Sequence, residues 1–112
     1  MLMLPSGARI FVATKPADLR KGFDSLAGMV RQALGQDPLS GSLFVFANKS
    51  RARIKILFFD RTGFVLWHKR LETGLFQFPS SEAASLPVEA AQLALLLDGI
   101  ALGGARPRAM NF

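Results

Sequence analysis

Apolar residues recur along this chain in two rhythms, and the places where one gives way to the other mark its elements. Arg9 to Thr14, RIFVAT, is a short apolar run closed by Lys15-Pro16-Ala17-Asp18. Proline removes a ladder donor and biases the residue before it away from helix, so the run predicts a strand that stops there. Asp18-Leu19-Arg20-Lys21-Gly22 is a polar loop, after which Phe23, Leu26, Ala27, Val30 and Leu34 fall on one face at helical spacing. That spacing predicts a helix from about Phe23 to Leu34, with Gly35 as its stop. Gly28 inside it weakens it by ~1 kcal/mol relative to alanine.

Asp37 to Gly41 reads as a turn, and Ser42 to Ala47, SLFVFA, as a strand apolar on both faces and therefore central. Asn48, Lys49 and Ser50 then turn the chain into two runs rich in Ile, Phe, Val, Leu and Trp, Arg53 to Phe59 and Phe64 to Arg70. Between them stands Asp60-Arg61-Thr62-Gly63, where Asp opens a turn by bonding its own backbone and Gly accommodates a bulge, so the pair predicts a β-hairpin. A three-residue loop at Arg61, Thr62 and Gly63 sets Asp60 opposite Phe64, and even-numbered residues of both strands share a face. Ile54, Ile56, Phe58, Phe64 and Leu66 are then core. The odd face carries Arg51, Arg53, Lys55 and Lys69 among Leu57, Phe59, Val65 and Trp67. A two-residue loop at Arg61-Thr62 would pair Phe59 with Phe64 and bury more charge, which favours the first register.

After Glu72-Thr73-Gly74, Leu75 to Pro79 is aromatic but ends at proline, and SSEAAS reads as an exposed linker. Pro87 suits the first position of a second helix and Glu89 its first turn, with Leu86, Ala90, Leu93, Leu97 and Ile100 as the apolar stripe and Gly99 near its end. The expectation is an α+β fold, a mostly antiparallel sheet of about four strands with two main helices. Residues 1–112 are expected to form a single domain, with its core at about 8–102 and a mobile tail at 103–112.

Charge sharpens this picture. The formal charge is +6. The segment from Lys49 to Arg70 holds seven Lys or Arg against one acid, Asp60, so it carries the whole excess. A polyanionic partner fits that concentration. There is no cysteine, which excludes disulfides, a thiol nucleophile and a cysteine zinc site. The longest aliphatic run, Leu93 to Leu97, is far short of a membrane span, and MLMLPS is too short for a signal-peptide apolar region, so no membrane partner and a cytoplasmic location are expected.

Catalysis finds little support. One histidine, His68, and eight scattered carboxylates do not make the converging set that metal chemistry needs. Asp18, Asp24, Asp60 and Glu72 are the only acids near basic residues. Asp60 is accounted for as a turn former, Asp24 as a helix-start residue and Glu72 as a partner of adjacent arginines. No motif frames a serine nucleophile, and no glycine-rich loop follows a strand. No catalytic residue, metal ligand set or cofactor is expected, and His68 reads as a packing or surface residue.

Two readings of the basic hairpin face stand side by side. It is either a solvated face, whose lysines also discourage edge-to-edge pairing, or a track for phosphates on which Phe59 or Trp67 stacks against a base. The lack of balancing acids favours the second, because solvated faces usually mix signs. Arg20-Lys21 is a second small basic site, a solvated loop unless the fold brings it beside Arg53. Phe44, Phe46, Phe58, Phe64, Phe76 and Phe78 read as core.

Two stretches also resemble a known family. ATKPADLRKGFDSLAGMV, Ala13 to Val30, and SGSLFVFANKSRARIKILFFDRTGFVLWHKRLETGLFQFP, Ser40 to Pro79, with a weaker echo at LLDGI, are similar to the accessory proteins encoded by the second reading frame of the IS66 group of bacterial insertion sequences, there called TnpB. Asp18, Arg20, Lys21, Asp24 and Leu26 fall on the family's Asp-x-Arg-Lys pattern. Asn48, Lys49, Arg51, Arg53, Lys55, Asp60, Gly63, Phe64, Lys69, Arg70, Leu71, Glu72 and Gly74 fall on its hairpin pattern. Ser50 and Ala52 depart from it where the family is often more charged, Phe59 and Phe78 where tryptophan is common.

The resemblance implies a transposition accessory protein encoded beside a separate transposase that carries the cutting chemistry. With the basic face, the expectation is non-catalytic binding of DNA, at insertion-sequence ends, through Arg51, Arg53, Lys55, Lys69, Arg70, Trp67 and Lys49, with Arg20 and Lys21 nearby. The rival is an adapter whose carboxy-terminal helix, Leu86 to Ile100, docks the transposase or a second copy of the chain as a homo-oligomer.

Overall fold

The apolar runs assemble into one sheet with a helix on each face in the computed structural model, which describes residues 7–102. β1 (Ile10–Ala13) leads through α1 (Phe23–Gln32) to β2 (Leu43–Ala47). β3 (Arg53–Asp60), β4 (Gly63–Arg70), β5 (Ser85–Val88) and α2 (Ala90–Leu97) follow. The strand order is β4-β3-β2-β1-β5. β1 and β2 run parallel, as a strand–helix–strand connection permits, and every other pair is antiparallel. The fold class is the expected α+β, with five strands in place of about four.

The extra strand comes from residues read as linker and helix start. Leu86 and Pro87 pair with Val12 and Phe11, and the Thr14 N–H donates to the Ala84 carbonyl at 3.0 Å. Pro87 suits a helix start, but it is equally at home on an edge strand, where its missing N–H faces no partner, and β5 is that edge. α2 therefore begins later than expected, at the Glu89 cap, where the Gln92 side chain accepts the Glu89 N–H at 2.7 Å in a capping box. It ends where Gly99, at φ +78°, turns the chain back. There Gly99 N–H reaches the Leu96 carbonyl at 3.0 Å and Ile100 N–H the Leu95 carbonyl at 3.0 Å.

The sheet is covered on both sides. α1 sets Leu26, Ala27 and Val30 against Phe11, Ala13, Phe44, Phe46 and Leu57. The opposite face, with Ile10, Val12, Val45, Ile54, Ile56 and Phe58, lies under Phe76 and Phe78 of the segment after β4 and under Leu93 and Leu96 of α2. All five residues of β2 are buried, in keeping with its central place. The phenylalanines expected in the core are there, divided between the faces, with Phe64 half-buried beside α1. The stretch 103–112, expected to be mobile, lies outside the described residues.

Double coverage also overturns the expected hairpin register. Asp60 pairs with Gly63 and Phe59 with Phe64, so the loop is Arg61-Thr62. The Asp60 carboxylate accepts the Gly63 N–H at 3.2 Å, and Arg61 takes the positive φ, +25°. Even residues of β3 thus share a face with odd residues of β4: Ile54 with Lys69, Ile56 with Trp67, Phe58 with Val65. On the other face Arg53 stands beside Arg70, Lys55 beside His68, and Leu57 beside Leu66. The three-residue loop is favoured only if one face of the hairpin meets solvent. With both faces packed, β3 buries Leu57 as fully as Ile56, and a one-sided count of buried charge loses its force.

Candidate nucleic-acid interface

Because β1 and β2 are parallel neighbours, the loops that leave them emerge at the same end of the sheet. The loop after β1 is tied down by the Ala17 N–H, which donates to the Ala47 carbonyl at the end of β2 at 2.8 Å. Ala17 and Leu19 are buried while Asp18 and Arg20 between and after them are exposed, so the loop presents polar side chains on an apolar footing.

The turn after β2 is built on Asn48. Its side-chain oxygen accepts the Arg53 N–H at 3.1 Å and its carbonyl accepts the Arg51 N–H at 3.0 Å. Arg51 sits in the left-handed region at φ 64°, which reverses the chain and leaves Lys49 and Ser50 exposed.

Between loop and turn lies an open cleft of about 830 Å³. Pro16, Ala17, Asp18, Leu19 and Arg20 line one side, and Asn48, Lys49, Ser50, Arg53 and His68 the other. The fold thus brings Arg20 beside Arg53, the condition on which the second basic site acquires a role. Lys55 joins the two segments, donating from Nζ to the Lys21 carbonyl at 3.4 Å.

The charge here is largely unbalanced. Among the described residues the ion pairs are Arg20 with Asp18 and Arg70 with Glu72. Arg20 grips Asp18 with two guanidinium bonds of 3.0 Å. These bonds, with the Arg20 backbone N–H, hold the Asp18 carboxyl down at about 2. Lys21, Lys49, Arg53 and Lys55 have no carboxylate in ion-pair range among the described residues. The His68 ring registers the result: partial burial first, then Lys55, Arg53 and Arg70, lower its pKa below the ordinary histidine value.

Other expected site residues face elsewhere. Lys69 crosses to the α2 side and donates from Nζ to the Leu97 carbonyl at 2.8 Å, at the negative end of that helix. Trp67 is half-buried against the same core. The expected stripe of Arg53, Lys55, Lys69 and Trp67 on one face is therefore corrected by the strand pairing. Arg51 acts as a strut: its guanidinium reaches the Phe78 carbonyl at 3.3 Å and its own carbonyl accepts the Phe76 N–H at 2.7 Å. His68, read as a packing or surface residue, lines the cleft, and only the two-residue loop would have placed it beside Lys55. Among the described residues no three of His, Asp and Glu converge as metal ligands.

A small α+β domain with a cationic cleft where its parallel strands end is the class that these features define. Within that class, residues 8–107 match the family described as IS66 Orf2 like protein, and the chain belongs to that family. It is a transposition accessory protein of an insertion sequence, as the motifs at Asp18 to Leu26 and Asn48 to Gly74 implied. It is similar to the uncharacterized protein y4hO of Sinorhizobium fredii, 44% identical over 100 residues that cover 88% of this chain and 87% of the relative. The uncharacterized protein y4jC of the same organism is 38% identical over 94 residues, covering 84% and 80%. No solved structure matches the chain. No described helix is long and apolar enough to cross a membrane.

Proposed function

We propose that the chain binds DNA without cutting it, holding phosphates on Lys21, Lys49, Arg53 and Lys55 around the cleft, with Arg20 and Arg70 at its margins. The observation that carries this is convergence. Two basic segments distant in sequence meet at one end of the sheet, and four of their cations have no carboxylate partner among the described residues. Such a group releases counterions when it meets a phosphate backbone, so binding weakens steeply with salt. Three of the four acids near basic residues have other work: Asp18 holds Arg20, Asp60 closes the hairpin loop and Glu72 pairs with Arg70, while Asp24 stands in the first turn of α1.

Fluorescence anisotropy of labelled DNA tests the proposal. Binding that salt suppresses, and that Lys49→Ala with Arg53→Ala removes, is the expected result. Absent or salt-insensitive binding refutes it.

A second reading, the adapter, draws on α2. Its sequence is AAQLALLL, without a charge. Leu95 is 41% exposed, and so are Ile100, at 49%, and Leu75, at 50%. One exposed leucine on an uncharged helix, with exposed Leu75 and Ile100 outside it, suits a protein partner, the element's transposase or a second copy. Co-purification with the transposase that survives nuclease and is lost in Leu95→Glu supports this reading, and its absence counts against it.

A further inference from the structure

We infer that the cleft takes an unpaired nucleobase of single-stranded DNA, stacked on the His68 ring, with the adjoining phosphates on Lys49 and Arg53. This rests on the nucleic-acid reading above and specifies its ligand.

Shape is the first argument. A duplex is met by a helix or ribbon that enters one of its grooves, or by a broad cationic face laid along its phosphates. The charges here instead surround a concavity of about 830 Å³, within the ~300–1,000 Å³ range of sites that enclose small ligands. An unstacked base can enter such a space and a paired one cannot.

The lining is the second. Phosphate alone would gain nothing from the apolar surface that Pro16, Ala17 and Leu19 supply at one wall, because a charged group loses hydration there. A base has apolar faces and polar edges, and the cleft has both complements. Asn48 spends its side-chain oxygen on the Arg53 N–H, which leaves its amide donors for a base edge, with the Ser50 hydroxyl beside it. Asp18 has both oxygens engaged by Arg20 and so does not repel a phosphate as a free carboxylate would.

His68 is the third. Among the described residues it is the one aromatic ring in the cleft lining; Trp67 lies on the opposite face of the sheet and Phe59 meets Phe64 edge to face at 5.3 Å. Partial burial and the cations Lys55, Arg53 and Arg70 oppose its protonation. At neutral pH it is thus an uncharged plane, suited to stacking on any base.

The test compares three fluorescein-labelled probes of equal phosphate number by anisotropy with the full chain: an oligothymidylate, the same strand made abasic, and a duplex. Stacking predicts that the oligothymidylate binds about tenfold tighter than the abasic strand. His68→Ala should erase most of that gap and His68→Phe should keep it. If the abasic strand binds as well as the oligothymidylate, or the duplex binds tighter than either, the inference falls while the nucleic-acid reading stands. If none of the three binds, both fall together.

Discussion

The salt dependence of binding is where the geometry of the cleft can be held to a number. Four cations, Lys21, Lys49, Arg53 and Lys55, lack a carboxylate partner among the described residues. If each meets one phosphate of a single strand, the slope of log affinity against log salt is about −0.7 for each contact, or about −2.8 in all. From about 50 to about 200 mM salt the affinity should then fall roughly 50-fold. Changing Lys49 and Arg53 together to alanine leaves two contacts, a slope of about −1.4 and a fall of only about sevenfold over the same interval. Both side chains are exposed, so the fold should tolerate their loss. Arg31 is the control, since it stands in the last turn of α1, remote from the loop that opens that helix beside the cleft. Arg31→Ala removes the same charge and should leave the slope intact. The assay is an anisotropy titration at several salt concentrations. An unchanged slope in the double variant, or an equal loss in Arg31→Ala, would mean that binding follows net charge and not the cleft.

The histidine offers a second measurement, by NMR titration. Its pKa should lie below the ordinary 6.5 in the free protein and rise when a polyanion offsets Lys55, Arg53 and Arg70; no rise on binding would place the DNA elsewhere. Because the unfolded chain takes up this proton first, stability should decline as pH falls through 6.5, and His68→Ala should remove that component. Asp18 titrates from about 2 when folded against 3.8 ordinarily, so the stability that its bonds to Arg20 supply is present above 3.8 and lost as pH falls towards 2. Asp18→Asn should flatten the acid limb of a stability profile in that window. Lys69→Ala should lower unfolding stability by about 1–2 kcal/mol in a urea titration, through its lost bond to the end of α2, while the salt slope stays as in the wild type.

Much of the architecture was legible in the chain. Residues 23 to 34 announced α1 through one apolar stripe, and SLFVFA announced a central strand by having no polar face. Both succeeded because each element's own pattern reports how many of its sides are buried. The misreadings arose where that local pattern admits two answers. Pro87 fits a helix start or an edge strand equally well, and only the pairing of β5 with β1 decides. The hairpin register turned on whether one or both faces of β3 are covered, which depends on Phe76, Phe78 and α2, remote in sequence. The cleft was hidden for a related reason. Arg20-Lys21 and Asn48 to Arg53 were each visible as basic motifs, but nothing local says that β1 and β2 are parallel neighbours.

That pairing does most to connect fold with function. In an antiparallel arrangement of β1 and β2, the loop after one would lie at the opposite end of the sheet from the loop after the other, and Arg20 could not meet Arg53. In parallel, both loops open at one end, where the Ala17 bond to Ala47 fixes their spacing. The hairpin register then sorts the remaining cations. Arg70 and His68 go to the side of the cleft, and Lys69 goes to the end of α2, where its charge supports a helix. A shift of one residue would exchange these assignments, taking His68 and Arg70 from the cleft and leaving the Leu97 carbonyl without its cation. The two-residue loop closed by Asp60 therefore has consequences at the far end of both strands. It helps make the cleft, and it helps hold the helix that covers the other face.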